Sequence, residues 1–140
     1  MNVRNDRNVV INERDFDRLN GLVHSPRLRT THAPMVATLE QELGRGRVVP
    51  PASVPRGVVT MNSRVRFVDL DTREKETYTL VYPQEANVDD AKLSVLAPLG
   101  TALLGASVGD VVECRTPGGV RRLKVERVLY QPEAAGDFHL

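Results

Sequence analysis

The chain has no tryptophan and only three phenylalanines and three tyrosines among its 140 residues, so its core must be built from valine and leucine. It has one cysteine, Cys114, which excludes an internal disulfide and fits a reducing compartment. No apolar run approaches the roughly 18 residues that suggest a membrane span. The first residues, with Arg4, Asp6 and Arg7 among asparagines, lack the apolar centre of a signal peptide. These absences lead us to expect a cytoplasmic protein with no membrane partner. An excess of one charge is missing too: 19 basic and 18 acidic residues leave a net charge of +1. A nucleic-acid module normally carries a basic excess, and no recognition helix stands out. Direct sequence-specific nucleic-acid binding is therefore not expected.

Hydrophobic residues make up 41% of the chain, enough for one core, and the length suits one domain or a small domain with an appendage. Asn12 is placed to cap a first helix, with Glu13 and Asp15 in its opening turn. Phe16, Leu19 and Val23 give that helix one apolar stripe, and Pro26 ends it. A second helix starts near Pro34, carries Val36, Leu39 and Leu43 on its stripe, and stops at Gly44 or Gly46. The two helices predict a short antiparallel hairpin over residues 1–49. A helix of about 12 residues reaches only about 18 Å.

Pro50, Pro51 and Pro55 then predict a stiff, extended connector. Residues 50–140 read as strand-rich. Val65 and Phe67 alternate with Arg64 and Arg66, and Thr77 to Tyr82 forms the next strand. A surface loop holds Asn87, Asp89 and Asp90 before extended structure resumes at Ser94 to Leu96. Pro98 opens a short helix over Leu99 to Leu104, closed by Gly105. Val111 to Arg115, the Pro117-Gly118-Gly119 turn and Val120 to Leu129 form a final hairpin. Its second strand slips phase at Val128, Leu129 and Tyr130, which calls for a bulge near Arg127. The pattern predicts an α+β fold: a helical hairpin, then an antiparallel sheet with one short helix.

Nothing in the chain reads as a catalytic signature. His24 and His32 flank the helical turn, but Arg27 and Arg29 between them repel a cation and no carboxylate or thiol completes a metal set. Cys114 alternates with Glu113 and Arg115 and reads as a small inward-facing residue; a nucleophilic thiol would need a base or a positive setting, and His139 lies too near the terminus to be that base. The glycines from Gly100 to Gly109 lack the Lys-Ser/Thr ending of a phosphate loop and serve tight turns. We therefore expect no enzyme activity, no cofactor and no metal.

A series of short strings follows in fixed order: Val59-Thr60-Met61-Asn62-Ser63, Leu80-Val81-Tyr82-Pro83, Ser94-Val95-Leu96-Ala97-Pro98-Leu99-Gly100, Ala102-Leu103-Leu104-Gly105, Val108-Gly109-Asp110, Pro117-Gly118-Gly119 and Tyr130-Gln131-Pro132-Glu133-Ala134-Ala135-Gly136-Asp137. Their order resembles the C-terminal domain of Gre-type transcription elongation factors, and most of all the short relatives called regulators of nucleoside diphosphate kinase. The resemblance is dense from Val54 to Leu140 and looser over the helices.

That resemblance implies an FK506-binding-protein-like sheet after the hairpin, and RNA polymerase as partner. In Gre factors a Ser-Pro turn and the helix after it help dock the domain near the polymerase secondary channel. The matching residues here are Leu96, Ala97, Pro98, Leu99 and Gly100. Leu96-Ala97 replace a usual polar pair, which makes any retained contact more apolar or places it differently. Gre factors also place acidic residues at a long finger tip, where carboxylates help hold the magnesium ion for transcript cleavage. The tip here, Ser25 to His32, centres on Arg27, Leu28 and Arg29 and has no carboxylate. Such a chain would occupy the site of Gre-type factors, compete with them, stimulate no cleavage and affect nucleoside diphosphate kinase levels indirectly. The alternatives are direct protein–protein control of that kinase or another partner, and a peptidyl-prolyl isomerase. The isomerase would need an aromatic pocket that six scattered rings hardly supply.

Overall fold

The computed structural model describes residues 9–138 and 140; Arg4, Asp6, Arg7 and His139, which entered the sequence reading, lie outside them. Strands are β1 (Val9–Asn12), β2 (Gly46–Val49), β3 (Arg64–Asp69), β4 (Lys75–Val81), β5 (Lys92–Ser94), β6 (Val111–Thr116) and β7 (Gly119–Tyr130). Helices are α1 (Glu13–Val23), α2 (Pro26–Thr31), α3 (Ala33–Gly44), α4 (Pro98–Leu103) and α5 (Pro132–Ala135). The fold is α+β, with helices first and a mixed sheet after them.

Asn12 caps α1 as its sequence context requires, its Oδ1 accepting from the Asp15 N–H at 2.7 Å. Leu19 and Val23 are buried and Phe16 packs beside them, while α3 buries Val36, Leu39 and Leu43. The expected plain turn between the two helices is instead the six-residue α2. Pro26 opens that helix rather than closing the previous one: Ser25 caps it, its Oγ accepting from Leu28 N–H at 3.5 Å, and proline fits the first helical turn. Two strands escaped the sequence reading. β1 and β2 pair in parallel on either side of the helices, bringing Ile11 opposite Val48. Four residues are too few to show a period.

The main sheet has the order β5-β4-β3-β7-β6. The expected antiparallel sheet is corrected at one edge, where β5 runs parallel to β4 with Leu80 opposite Leu93. The crossover through the 83–91 loop turns the chain back before it pairs. β7 carries two register shifts against β3, at Glu126 and at Leu129, so the bulge expected near Arg127 is a pair of irregularities that flank it. The core is mostly aliphatic; its buried rings are Phe67, which stacks on Tyr78 at 5.8 Å between centroids, and Tyr82. It runs continuously from Val9, Leu19 and Leu39 to Phe67, Leu103 and Leu123. The proline connector is docked, not free-standing: Gln131 Nε2 donates to the carbonyls of Pro55 at 2.9 Å and Val58 at 2.8 Å.

Candidate functional site

Pro98 supplies the first turn of α4, and its fixed φ suits a helix entry. The turn before it is tied down from both sides. Ser94 Oγ accepts from Leu96 N–H at 3.1 Å, and Thr101 Oγ1 donates to the Val95 carbonyl at 2.5 Å. Gly100 faces the same carbonyl layer, and a Cβ there would lie 2.0 Å from the Ser94 oxygen. Only a glycine lets α4 lie this close to the end of β5. Of the five singled-out residues, Leu96 and Gly100 are buried, Ala97 and Leu99 are half-buried and Pro98 is exposed.

Leu96 and Pro98 do not stand alone. They line a groove of about 630 Å³ together with Pro34, Met35, Thr38 and Glu42 of α3, Thr101 and Ala102 of α4, and Val112 to Arg115 and Val120 on the β6–β7 hairpin. Met35 is 37% exposed and Val120 52%, so two large apolar side chains face solvent at its rim. Cys114 lies in its wall, and burial pushes the thiol up from its ordinary value, which makes a thiolate nucleophile unfavourable. Among the described residues, no aromatic ring lines the groove. The sequence located the turn but not its partner surface, because α3 is some sixty residues away in the chain.

At the other candidate, α2 holds the three tip residues in different states. Arg29 is committed internally: its Nε donates to the Val23 carbonyl at 2.8 Å and its guanidinium pairs with Glu40 at 3.1 Å. Leu28 packs half-buried against the core. Arg27 is exposed. His24 and His32 each make a local contact, to the Asn20 carbonyl and to the Thr31 hydroxyl. Among the described residues no group of three or more His, Cys, Asp or Glu could hold a metal ion.

A buried polar cluster is what sequence reasoning missed. Asn12 Nδ2 donates to Asp15 Oδ2 at 3.2 Å and to Glu133 Oε2 at 2.5 Å. Thr60 Oγ1 donates to Glu133 Oε1 at 2.8 Å and contacts Ser63 Oγ at 2.8 Å. The Tyr82 hydroxyl donates to Asp15 Oδ1 at 3.3 Å, and Arg18 lies over the Tyr82 ring. Three of the strings quoted above (Thr60 to Ser63, Tyr82-Pro83 and Gln131-Pro132-Glu133) thus converge on the start of α1. Tyr82 and Tyr130 have separate partners, since Tyr130 donates to Asp137. Burial first and the Glu133 charge second push the Asp15 carboxyl up to about 7. The strings' fixed order was the available signal; their meeting in space was not.

Comparison with known proteins agrees with this architecture. A family model described as "Transcription elongation factor, GreA/GreB, C-term" matches residues 54–130, and one described as "Rnk N-terminus" matches residues 7–49. The chain is 43% identical over 133 residues to the regulator of nucleoside diphosphate kinase of Escherichia coli (strain K12), which covers 94% of this chain and 96% of that protein. It is 37% identical over 113 residues to transcription elongation factor GreA of Nautilia profundicola, covering 80% of this chain and 70% of that one. A solved structure of a GreA/GreB elongation factor from Nitrosomonas europaea matches with a TM-score of 0.73 at 40% identity, covering 89% of this chain and 99% of that one. Fold and sequence alike therefore define a Gre factor-like transcription regulator. Within that class, the chain belongs to the regulator of nucleoside diphosphate kinase family.

Proposed function

We propose that this chain is a non-enzymatic, cytoplasmic transcription regulator that binds RNA polymerase near its secondary channel. The single observation that carries this reading is the groove in which the Leu96–Pro98 turn and the exposed face of α3 share one apolar surface. An apolar docking surface suits a turn that has Leu96-Ala97 where Gre factors commonly have polar residues. The relatives named as transcription elongation factors make polymerase the natural partner.

In this reading residues 1–49 form a truncated antiparallel finger and residues 50–140 an FK506-binding-protein-like docking domain. α1 and α3, with 11 and 12 residues, each reach about 17–18 Å. The tip between them carries Arg27 and a neutralised Arg29 and no carboxylate. Such a finger brings no ligand for a catalytic magnesium ion, so it docks without stimulating cleavage. Effects on nucleoside diphosphate kinase then arise indirectly, through transcription. A proline isomerase reading finds no aromatic wall in the groove.

The test titrates the chain against a labelled Gre factor on core RNA polymerase while transcript cleavage is followed in stalled complexes. Displacement with loss of cleavage supports the reading. Absence of binding at micromolar concentrations would sink it and favour direct control of the kinase, the activity that the relatives' name suggests.

A further inference from the structure

The balanced charge of the whole chain conceals an uneven distribution on the sheet. Val65, Phe67, Leu123 and Val125 are fully buried on its core side. Side chains alternate across a strand, so Arg64, Arg66 and Val68 of β3 and Arg122 and Lys124 of β7 face the other way. Their cross-strand neighbours extend the face. Lys75 lies opposite Val68, which lies opposite Lys124, and Arg66 lies opposite Arg127. Ion pairs from Glu126 to Lys75 at 3.1 Å and to Arg66 at 3.9 Å confirm that these groups share one side.

With Arg73 at the rim, seven cations meet three carboxylates there: Glu126 in the middle, and Asp71 and Glu113 at the edge. Glu126 is already shared by two cations and Asp71 is taken by Arg122. Arg64, Arg73, Lys124 and Arg127 have no carboxylate partner among the described residues. Most of the other described acids lie off this face, on α1, α3, α5 and the 85–90 loop, or on the opposite side of the sheet, where Asp69 and Glu76 pair with Arg121.

We propose that this outer face of β3, β4 and β7 is a sequence-independent binding surface for the phosphate backbone of nucleic acid. A protein partner is the poorer fit, because protein interfaces place apolar groups at the centre and charges at the rim. Here Arg66, Glu126 and Arg127 lie at the centre, and the apolar groups Val68, Leu70 and Val108 share an open hollow of about 640 Å³ with the charged Arg73, Lys75, Lys124 and Glu126. The ring nearest these residues is Tyr130, opposite Arg64 at one end with its hydroxyl bonded to Asp137, so the face offers mainly phosphate contacts. Cations concentrated on a strand surface, four of the seven without a carboxylate partner among the described residues, are the electrostatic footprint of such binding. The surface meets the docking groove at Glu113 on its edge, and the proposal stands without the polymerase reading.

The experiment is fluorescence anisotropy of the full chain on a short labelled DNA duplex of random sequence, with no polymerase present, across a salt series. We expect micromolar binding at about 50 mM salt that weakens steeply toward about 200 mM. The variant Arg66→Gln/Lys124→Gln/Arg127→Gln should weaken binding at least about tenfold and reduce the log–log salt slope by about 3. Glu126→Gln, which removes the central carboxylate, should tighten binding by about two- to fivefold, a gain that loss of folding cannot imitate. Arg27→Gln at the helical tip should leave affinity unchanged. No binding, or equal affinity for the triple variant and the parent, overturns the proposal. Tighter binding to polyglutamate than to the duplex also overturns it and assigns the face to an acidic protein.

Discussion

Asn12 and Glu133 stand 121 residues apart and meet through a buried hydrogen bond of 2.5 Å from Asn12 Nδ2 to Glu133 Oε2. The same Nδ2 serves Asp15, and Asn12 Oδ1 caps α1. One amide therefore starts the first helix and ties it to the last.

Asn12→Ala should remove both roles at once. Loss of an N-cap costs about 0.5–2 kcal/mol, and two buried carboxylates that each lose one of their donors add about 1–3 kcal/mol. Urea unfolding should show a loss of about 2–4 kcal/mol. A loss no greater than that of an ordinary cap would mean the carboxylates find other donors.

The pH dependence has a definite sign. The Asp15 carboxyl titrates at about 7 in the fold against 3.8 in its ordinary state. The folded chain thus keeps its proton to higher pH than the unfolded one. The stabilisation is full below about pH 4, declines as pH rises toward 7 and is gone above that. The shift corresponds to something on the order of 4 kcal/mol. Glu133 opposes ionisation, while Arg18 and the Tyr82 hydrogen bond favour it. Denaturant midpoints at about pH 5 and about pH 8 should show the parent weaker at the higher pH, and Asp15→Asn should flatten the difference. A parent that gains stability with pH over this interval would contradict the assignment.

Gly100→Ala should strain the turn that leads into α4. Its Cβ would sit 2.0 Å from the Ser94 carbonyl oxygen, a backbone atom that moves only if α4 or the end of β5 moves. Overpacking of this kind costs about 1–3 kcal/mol. Thermal unfolding measures the cost, and competition with a Gre factor should weaken with it.

Met35→Glu separates docking from stability. Met35 is partly exposed on the groove rim, so the substitution should change stability by no more than about 0.5 kcal/mol. A charge placed against an apolar partner should lower polymerase affinity at least about tenfold. Unchanged competition would exclude the groove as the docking surface.

At the tip, Arg29→Ala should cost about 1 kcal/mol, because it removes the bond to the Val23 carbonyl and a half-exposed pair with Glu40. Arg27→Ala should leave the unfolding midpoint unchanged. Equal effects would show that Arg29 is as free in solution as Arg27.

Much of the fold was readable because its signals are local. The α1 cap at Asn12, the buried stripes of α1 and α3, the entry of α4 at Pro98 and the phase slip in β7 each depend on residues close together in the chain. β1, β2 and α5 were not readable, since four-residue elements show no period of their own and form against distant partners. The candidate turn at 96–100 was legible from its resemblance to Gre factors. The groove beside it was not, because α3 reaches it only through packing.

The sequence alone determined an aliphatic core, a helical start and a strand-rich remainder, and a tip without carboxylates, since composition and short-range periodicity suffice for each. Only the tertiary structure decided that Asp15 and Glu133 share a buried donor, that α2 interrupts the helical turn, that β5 pairs in parallel, and that a chain of near-zero net charge gathers seven of its 19 basic residues on one sheet face. The physical reason is the same throughout. Burial, register and electrostatic fields depend on distances between residues far apart in the chain, and only folding sets those distances.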